Sequence, residues 1–514
     1  MKKMISVILV LAMSIGISAC ANTEDTKSSQ ASGAAAPLIT PKPMLVIDPN
    51  IPEITAEFTV SGLFTNNMVL QRNTEACIWG WSEVKNAIIT VSYRGEIRKG
   101  LVDEKGEWFV RIPTGKETIE TGLKLTVSAG TNITEFTDVV VGDVWFIGGQ
   151  SNADLMLSTT YEDKANVAVK MVAEDNVRIF YQNRWDVYNG ADGTANVALA
   201  SSVHTNPIKN TYKWVKATTS SINNFSAMGM HFANTIQKAV GTNVPIGLIQ
   251  VASGGANLAE LSPMSVNEKF GISGGASSYI YNTLIAPTEK FSVTGMLWYQ
   301  GESDSASIDS INKYPERFQA YVRFLREQSG STFSVLVVQL ASHHSQYGWM
   351  VPEFRAMQTK MVAIIPNSYL VVSADTDEWI KDYAHPRQKQ PVGERLGKIA
   401  LSINYNTGTL EDNACPLPDA FSYNSNGATI SYKLGSNGLK SNNGGDIKGF
   451  ELKDSTGKWA VAQAIANGSS VVVTADGVSN PTGVRYGFAP TMYPAKYTLV
   501  NGSGLPAGTF DNVK

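Results

Sequence analysis

Four stretches of this chain place a polar or glycine residue where a hydrophobic run stops, and together they hold the groups that an acyl transfer requires. The first, "VGDVWFIGGQSNADLML" at 141–157, reaches Gly148-Gly149 and then sets Ser151 between Gln150 and Asn152. The second brings Gly254-Gly255 after "PIGLIQVAS", the third brings Gln300 at the end of the run in "VTGMLWYQGESD", and the fourth brings Asp382 and His385 after "SYLVVSADTD". Serine is a weak nucleophile at its own pKa, so a neutral imidazole must take its proton and a carboxylate must hold that imidazole in the right tautomer. In "DYAHP" Asp382 precedes His385 by three residues, so one turn can present both on one face. The tetrahedral oxyanion needs donors already aimed at it, each worth about 3–4 kcal/mol. The backbone N–H groups of Ser151 and Gly255 and the side-chain amide of Gln300 are the candidates, with glycine at 255 keeping a Cβ out of the way.

Each residue alone also has an ordinary reading. Ser151 fits a strand-to-helix turn, and His385 before Pro386 fits a loop histidine satisfied by backbone. His231, inside "MGMHFANTI", reads as a helix residue at the edge of the core. The adjacent His343 and His344 point to opposite faces of any strand, which weakens a metal-site reading. Glu302 and Asp304 are too close in sequence to flank a glycosidic bond across the separation of about 5 Å or more that such chemistry needs. They read as support for the site. Trp298 and Tyr299 are either cleft lining or core, and Arg184, Arg355 and Arg387 are all candidates to pair with a substrate carboxylate.

The elements that must position these residues alternate. Nearly continuous apolar runs ("VPIGLIQVA", "VTGMLWYQG", "FSVLVVQLA", "SYLVVSAD") read as parallel strands covered on both faces. Between them, "FSAMGMHFANTIQKAV", "YPERFQAYVRFLREQSG" and "MVPEFRAMQTKMVAIIPN" read as helices, and Phe318, Tyr321, Val322 and Leu325 recur at helical spacing. This pattern predicts a three-layer α/β domain over 141–415, with ligands at the carboxyl ends of its strands. Before it, short alternating runs such as "AIITVSYRG" and "EWFVRIP" predict a β-sandwich over 56–140; after it, "ATISYKL", "IKGFELKD" and "SVVVTADG" predict a β-rich module over 416–514.

The chain of 514 residues is 43% apolar and 17% charged, an ordinary globular composition, and its net charge of -3 argues against a nucleic-acid partner. Residues 1–20, "MKKMISVILVLAMSIGISAC", have a basic start, an apolar stretch too short for a convincing membrane span, and a tail that resembles the bacterial lipobox. They predict a lipoprotein signal ending at Cys20, a lipid anchor as the sole membrane contact, and a flexible tether over 21–55. Cys77 and Cys415 are expected as buried free thiols.

The motif set resembles the SGNH hydrolases, and within them the sialate O-acetylesterase family. "GDVWFIGGQSN" at 142–152, "SGGAN" at 253–257, "WYQGESD" at 298–304 and "DYAHPRQKQPVGERLG" at 382–397 carry the resemblance, supported by flanking "LFTNNMVLQRN", "CIWGW" and "NGSGLPAGTFDN". The resemblance implies a flavodoxin-like three-layer core and a serine esterase that deacetylates sugars without metal or organic cofactor. In it Ser151 is the nucleophile, His385 the base, Asp382 its orienter, and Gly255 and Gln300 stand at oxyanion-hole positions. Asn152, Asp154, Trp298, Glu302 and Arg387 are the candidate substrate contacts. The chain departs from the family at Ala153, Asp154 and Leu155 after the serine and at Ala256, Leu261 and Ser262 after the glycines. Those departures leave the substrate open between O-acetylated sialic acid and an acetylated xylan or mannan. Two other readings stand beside these: a surface glycan-binding lipoprotein with a vestigial site, and an α/β-hydrolase lipase. Ala153 argues against the lipase, because it stands where that elbow has its second glycine.

Overall fold

A computed structural model of the chain describes residue 47 and residues 51–160, 174–182, 212–218, 220–273, 277–342, 348–376, 384–491 and 496–514. The expected signal segment with Cys20, most of the tether, Arg184, His343, His344 and Asp382 lie outside these residues. Among the described residues no helix is long and apolar enough to cross a membrane.

The first β module has two antiparallel sheets. One pairs Thr59–Val60, Glu75–Trp81 and Glu107–Pro113; the other orders Glu96–Leu101, Ile88–Tyr93, Leu125–Ala129 and Asn132–Phe136. Strict alternation decides which side chains face inward: Trp108, Val110 and Ile112 are buried from one sheet, Ile89, Val91 and Val127 from the other. Thr55 hydroxyl bonds to Thr131 and Glu53 pairs with Lys99, so the last residues read as tether are fastened to this module.

The central sheet begins with β1 (Val140–Gly149), followed by β2 (Glu174–Tyr181), β3 (Val215–Ala217), β4 (Ile246–Gln250), β5 (Gly295–Tyr299), β6 (Ser334–Val338) and β7 (Ser368–Val371). Across the sheet they run β3-β2-β4-β1-β5-β6-β7, all parallel except the β3/β2 edge. Without β2 and β3 the order is second-first-third-fourth-fifth, so the connection reverses between β1 and β5. Ligands of such sheets gather at that reversal, beyond the carboxyl ends of the strands.

Of the helices among the described residues, five bear on the site: α1 (Ser151–Asp154), α2 (Ala227–Val240), α3 (Ile308–Ser329), α4 (Val351–Ile364) and α5 (Gln390–Asn404). Register assigns the four long ones to two faces. Trp145 and Ile147 of β1 meet Phe232 and Gly229 of α2, while Trp298, opposite Gly148, turns the other way onto Phe318 and Tyr321 of α3. Helix α5 lies on α2, where Gly393 and Gly397 allow close approach to His231 and Thr235. Helix α4 lies on α3, joined by the Tyr314–Phe354 ring pair at 4.9 Å.

The β module before this domain is built into it. Strand Val69–Gln71 pairs in parallel with the start of β1, Arg72 donates to Asp143 at 2.9 Å, and Phe64 and Trp79 pack on Phe291, so one hydrophobic core runs through both. The module after it has a separate core. Its seven-stranded antiparallel sheet starts at Leu417–Asn424 and ends at Phe510–Val513, and these outermost strands meet through Phe421–Phe510 and a 2.6 Å bond from Tyr423 hydroxyl to Asn512, which curls the sheet into a barrel-like form. It docks on α4, where Thr359 hydroxyl donates to the Thr509 carbonyl at 2.7 Å. Cys77 and Cys415 are buried free thiols.

Candidate active site

Strand β1 delivers the serine through a forced turn. Gly149 has φ +132, and a Cβ there would overlap the Tyr299 carbonyl, so the crossing of β1 and β5 at this point requires glycine. Two residues later Ser151 opens α1 with its side chain partly exposed, and its Oγ lies 2.6 Å from His385 Nε2. That is hydrogen-bond distance. Asp382, the expected orienter, lies outside the described residues.

Gly255 stands on the loop after β4, tied to β1 because Ser253 N donates to the Gly149 carbonyl at 3.0 Å. Ser303 hydroxyl bonds the Gly255 carbonyl at 2.9 Å and lies 3.5 Å from the Gln150 side chain, which brings this loop alongside the serine turn. The reason for glycine differs from the one expected: a Cβ at 255 would meet open space, and the constraint is its φ of +78.

Beneath this rim lies a buried polar floor that takes several residues expected to face substrate. Gln300 is fully buried, and its amide donates to Asp304 at 2.6 Å, to the Ala256 carbonyl at 3.1 Å and to Gln150 at 3.2 Å, while Tyr314 hydroxyl donates to its oxygen at 2.5 Å. Its donors are thus committed below the serine, and Gln300 is corrected from oxyanion donor to floor. Trp298 is corrected to core: the strand pleat points it at α3, and its ring N–H donates to Tyr314 at 3.2 Å. Glu302 and Asn152 are corrected from substrate contacts to buried partners, because Asn152 Nδ2 donates to Glu302 at 2.5 Å. Asp154 accepts from Gln250 at 2.7 Å at the base of α1. Of the three candidate arginines, Arg355 is buried against the Ala489 and Pro490 carbonyls, whereas Arg387 is exposed on the loop of His385.

Two floor residues escaped the sequence reading. Gln150 accepts from the N–H groups of Gly301 and Ser303, stitching the serine turn to the turn after β5. Lys389 is buried, donating to Asn152 Oδ1 at 2.7 Å and to the Pro386 carbonyl at 2.6 Å, with its ammonium over the Tyr299 ring. The only signal for it was its place four residues after His385. Burial pulls Lys389 down to about 7 against the opposing pull of Glu302, and burial pushes the carboxyls of Glu302 and Asp304 up. Away from the site, His231 is buried between α2 and α5 as expected of a core-edge helix residue; burial, with Lys238 as a second cause, holds it down to about 4.

A serine and a histidine are thus in contact at the reversal of a parallel sheet, where ligands of such sheets gather. Residues 141–402 match the family described as carbohydrate esterase, sialic acid-specific acetylesterase, and the chain belongs to that family. It is therefore a carbohydrate esterase, a carboxylic ester hydrolase. Among its relatives, the sialate O-acetylesterase of Homo sapiens is 26% identical over 70% of this chain and 74% of that protein. The sialate O-acetylesterase of Mus musculus is 24% identical over 70% of this chain and 76% of its own. In structure the chain is similar to a carbohydrate acetylesterase from Xanthomonas citri, with a TM-score of 0.74 and 28% identity, over 89% of this chain and 99% of that one.

Proposed function

We propose that the protein removes O-acetyl groups from sugars through an acetyl-enzyme on Ser151. The 2.6 Å contact between Ser151 Oγ and His385 Nε2 carries this reading. His385 takes the hydroxyl proton as Oγ attacks the acetyl carbonyl, and the backbone N–H groups of Ser151 and Gly255 receive the oxyanion. Collapse expels the sugar alcohol, which takes the proton from His385. Water, activated by the same imidazole, then releases acetate. Asp382, three residues before His385, is the proposed orienter of its ring. The core is proposed to be of the SGNH-hydrolase, flavodoxin-like kind.

The proposed substrate is an O-acetylated sialic acid. Arg387, exposed two residues from His385, favours a sugar bearing a carboxylate, and the relatives named as sialate O-acetylesterases favour the same class. The second reading, an acetylated xylan or mannan, rests on the departures at Asp154 and Leu261. The "ISAC" tail supports a proposed place in the cell envelope, held by a lipid on Cys20. The test compares acetate release from 9-O-acetylated sialic acid and from acetylated xylan by protein lacking residues 1–20, with Ser151→Ala as control. Release from the sialate supports the first substrate and release mainly from xylan the second; an undiminished Ser151→Ala rate removes the mechanism.

A further inference from the structure

His385 sits on an exposed loop, yet the carbonyls on either side of it are both held from below. Asn152 Nδ2 donates to the Ala384 carbonyl at 2.7 Å, and Lys389 Nζ donates to the Pro386 carbonyl at 2.6 Å. The two holders are themselves joined, since Lys389 Nζ also donates to Asn152 Oδ1 at 2.7 Å. On its far side the Asn152 amide meets the Glu302 carboxylate at 2.5 Å. A backbone carbonyl only accepts, so the bond to Ala384 admits one orientation of the amide: nitrogen toward Ala384 and Glu302, oxygen toward Lys389. Asn152 also follows Ser151 directly in the chain. The segment that carries the nucleophile therefore grips the loop that carries the base.

We infer that Asn152 and Lys389 are positioning residues that set the place of His385 relative to Ser151, with Glu302 accepting from the Asn152 amide on its far side. This inference rests on the proposed roles of Ser151 and His385. None of the three side chains needs to touch substrate. Their effect is geometric: a misplacement of about 1 Å in a reacting group costs on the order of a hundredfold in rate. Loss of the clamp lets the loop drift while the Gly255 loop, held by Ser253 and Ser303, stays as it was, so kcat falls and KM does not follow.

The test is a double-mutant cycle on the complete mature enzyme with 4-nitrophenyl acetate, an ester reactive enough to show residual activity without the histidine. Lys389→Met keeps the length of the side chain and removes its donor. The expected result is a fall in kcat of about a hundredfold with KM within about twofold, and no further loss when Lys389→Met is added to His385→Ala. Asn152→Ala, which releases the other carbonyl, should behave in the same way and serves where a melting curve shows Lys389→Met unfolded. Wild-type kcat in the folded variant overturns the inference, and so does an equal loss with and without His385. Its failure is separable from that of the mechanism: if Ser151→Ala and His385→Ala cut turnover to the residual level while Lys389→Met does not, only the clamp is lost.

Discussion

The rim and the floor of the site come in part from the same stretches of chain and differ in what water does to them. Ser151, Gly255, His385 and Arg387 reach solvent; Gln150, Asn152, Gln300, Glu302, Asp304 and Lys389, half of them within two residues of the first set, are buried. Exposed, a side chain is free to move a proton and keeps its partners few. Buried, the same kinds of group must be fully partnered or change charge, so they act as structure. Rim substitutions should therefore cost turnover with stability kept, and floor substitutions should cost stability, to which Asn152 and Lys389 add a loss of kcat because they hold the loop of His385.

The largest effect falls on the rim. His385→Ala should lower kcat/KM on a small acetyl ester by about ten-thousandfold while leaving the urea midpoint of unfolding in place. A midpoint that dropped along with activity would make the histidine a structural residue and erase the contrast. Next comes the floor: Asp304→Ala takes the acceptor from the Leu258 N–H, the carboxylate partner from buried Arg317 and one of three acceptors from the Gln300 amide, and should cost about 4 kcal/mol of unfolding free energy. Full stability with lost catalysis would place Asp304 in the chemistry instead.

Buried His231 extends the same contrast through pH. His231 titrates at about 4 when folded against an ordinary 6.5, so the unfolded chain binds the extra proton between those values. Its contribution is complete above about pH 6.5 and is lost as pH falls toward 4, a span of roughly 3 kcal/mol by linkage. His231→Leu should flatten the wild-type fall in stability over that window, measured by urea unfolding at a series of pH values. An unchanged slope would mean that another group dominates there. The smallest effect is expected at the exposed arginine beside His385. Arg387→Ala should lower kcat/KM for a carboxylate-bearing acetylated sugar by about tenfold and leave a neutral acetyl ester untouched. Equal loss on both esters would remove the carboxylate contact.

Much of this arrangement was legible because residue type and period announce it. A serine after a glycine pair at the end of a buried strand, and a histidine before proline in another block, name their own chemistry, and they meet. Phe318, Tyr321, Val322 and Leu325 mark the buried face of α3 by spacing alone. Helix α5 was harder to see, since Pro391, Gly393 and Gly397 look like breakers. Proline is harmless in a first turn, and the glycines serve contact with α2. The direction of Gln300 was not legible, because side chains beyond a strand end follow the turn, and this one passes through Gly301 at φ +148. Nor was Lys389: a lysine between two glutamines reads as solvated, and only the packing above it makes it interior.

The Ser151–His385 contact spans 234 residues of chain, the Asn152–Lys389 bond 237, and the stitches between Gln150 and the turn after β5 about as many as separate two ordinary domains. Contacts of such range close late, since each must wait for the loops inside it to be ordered. In refolding from urea, tryptophan burial in the first β module and the central sheet should return before esterase activity does. Turnover in this protein is thus a clock for the final step of folding, and a chain trapped one step short would look native by secondary structure and be silent by assay.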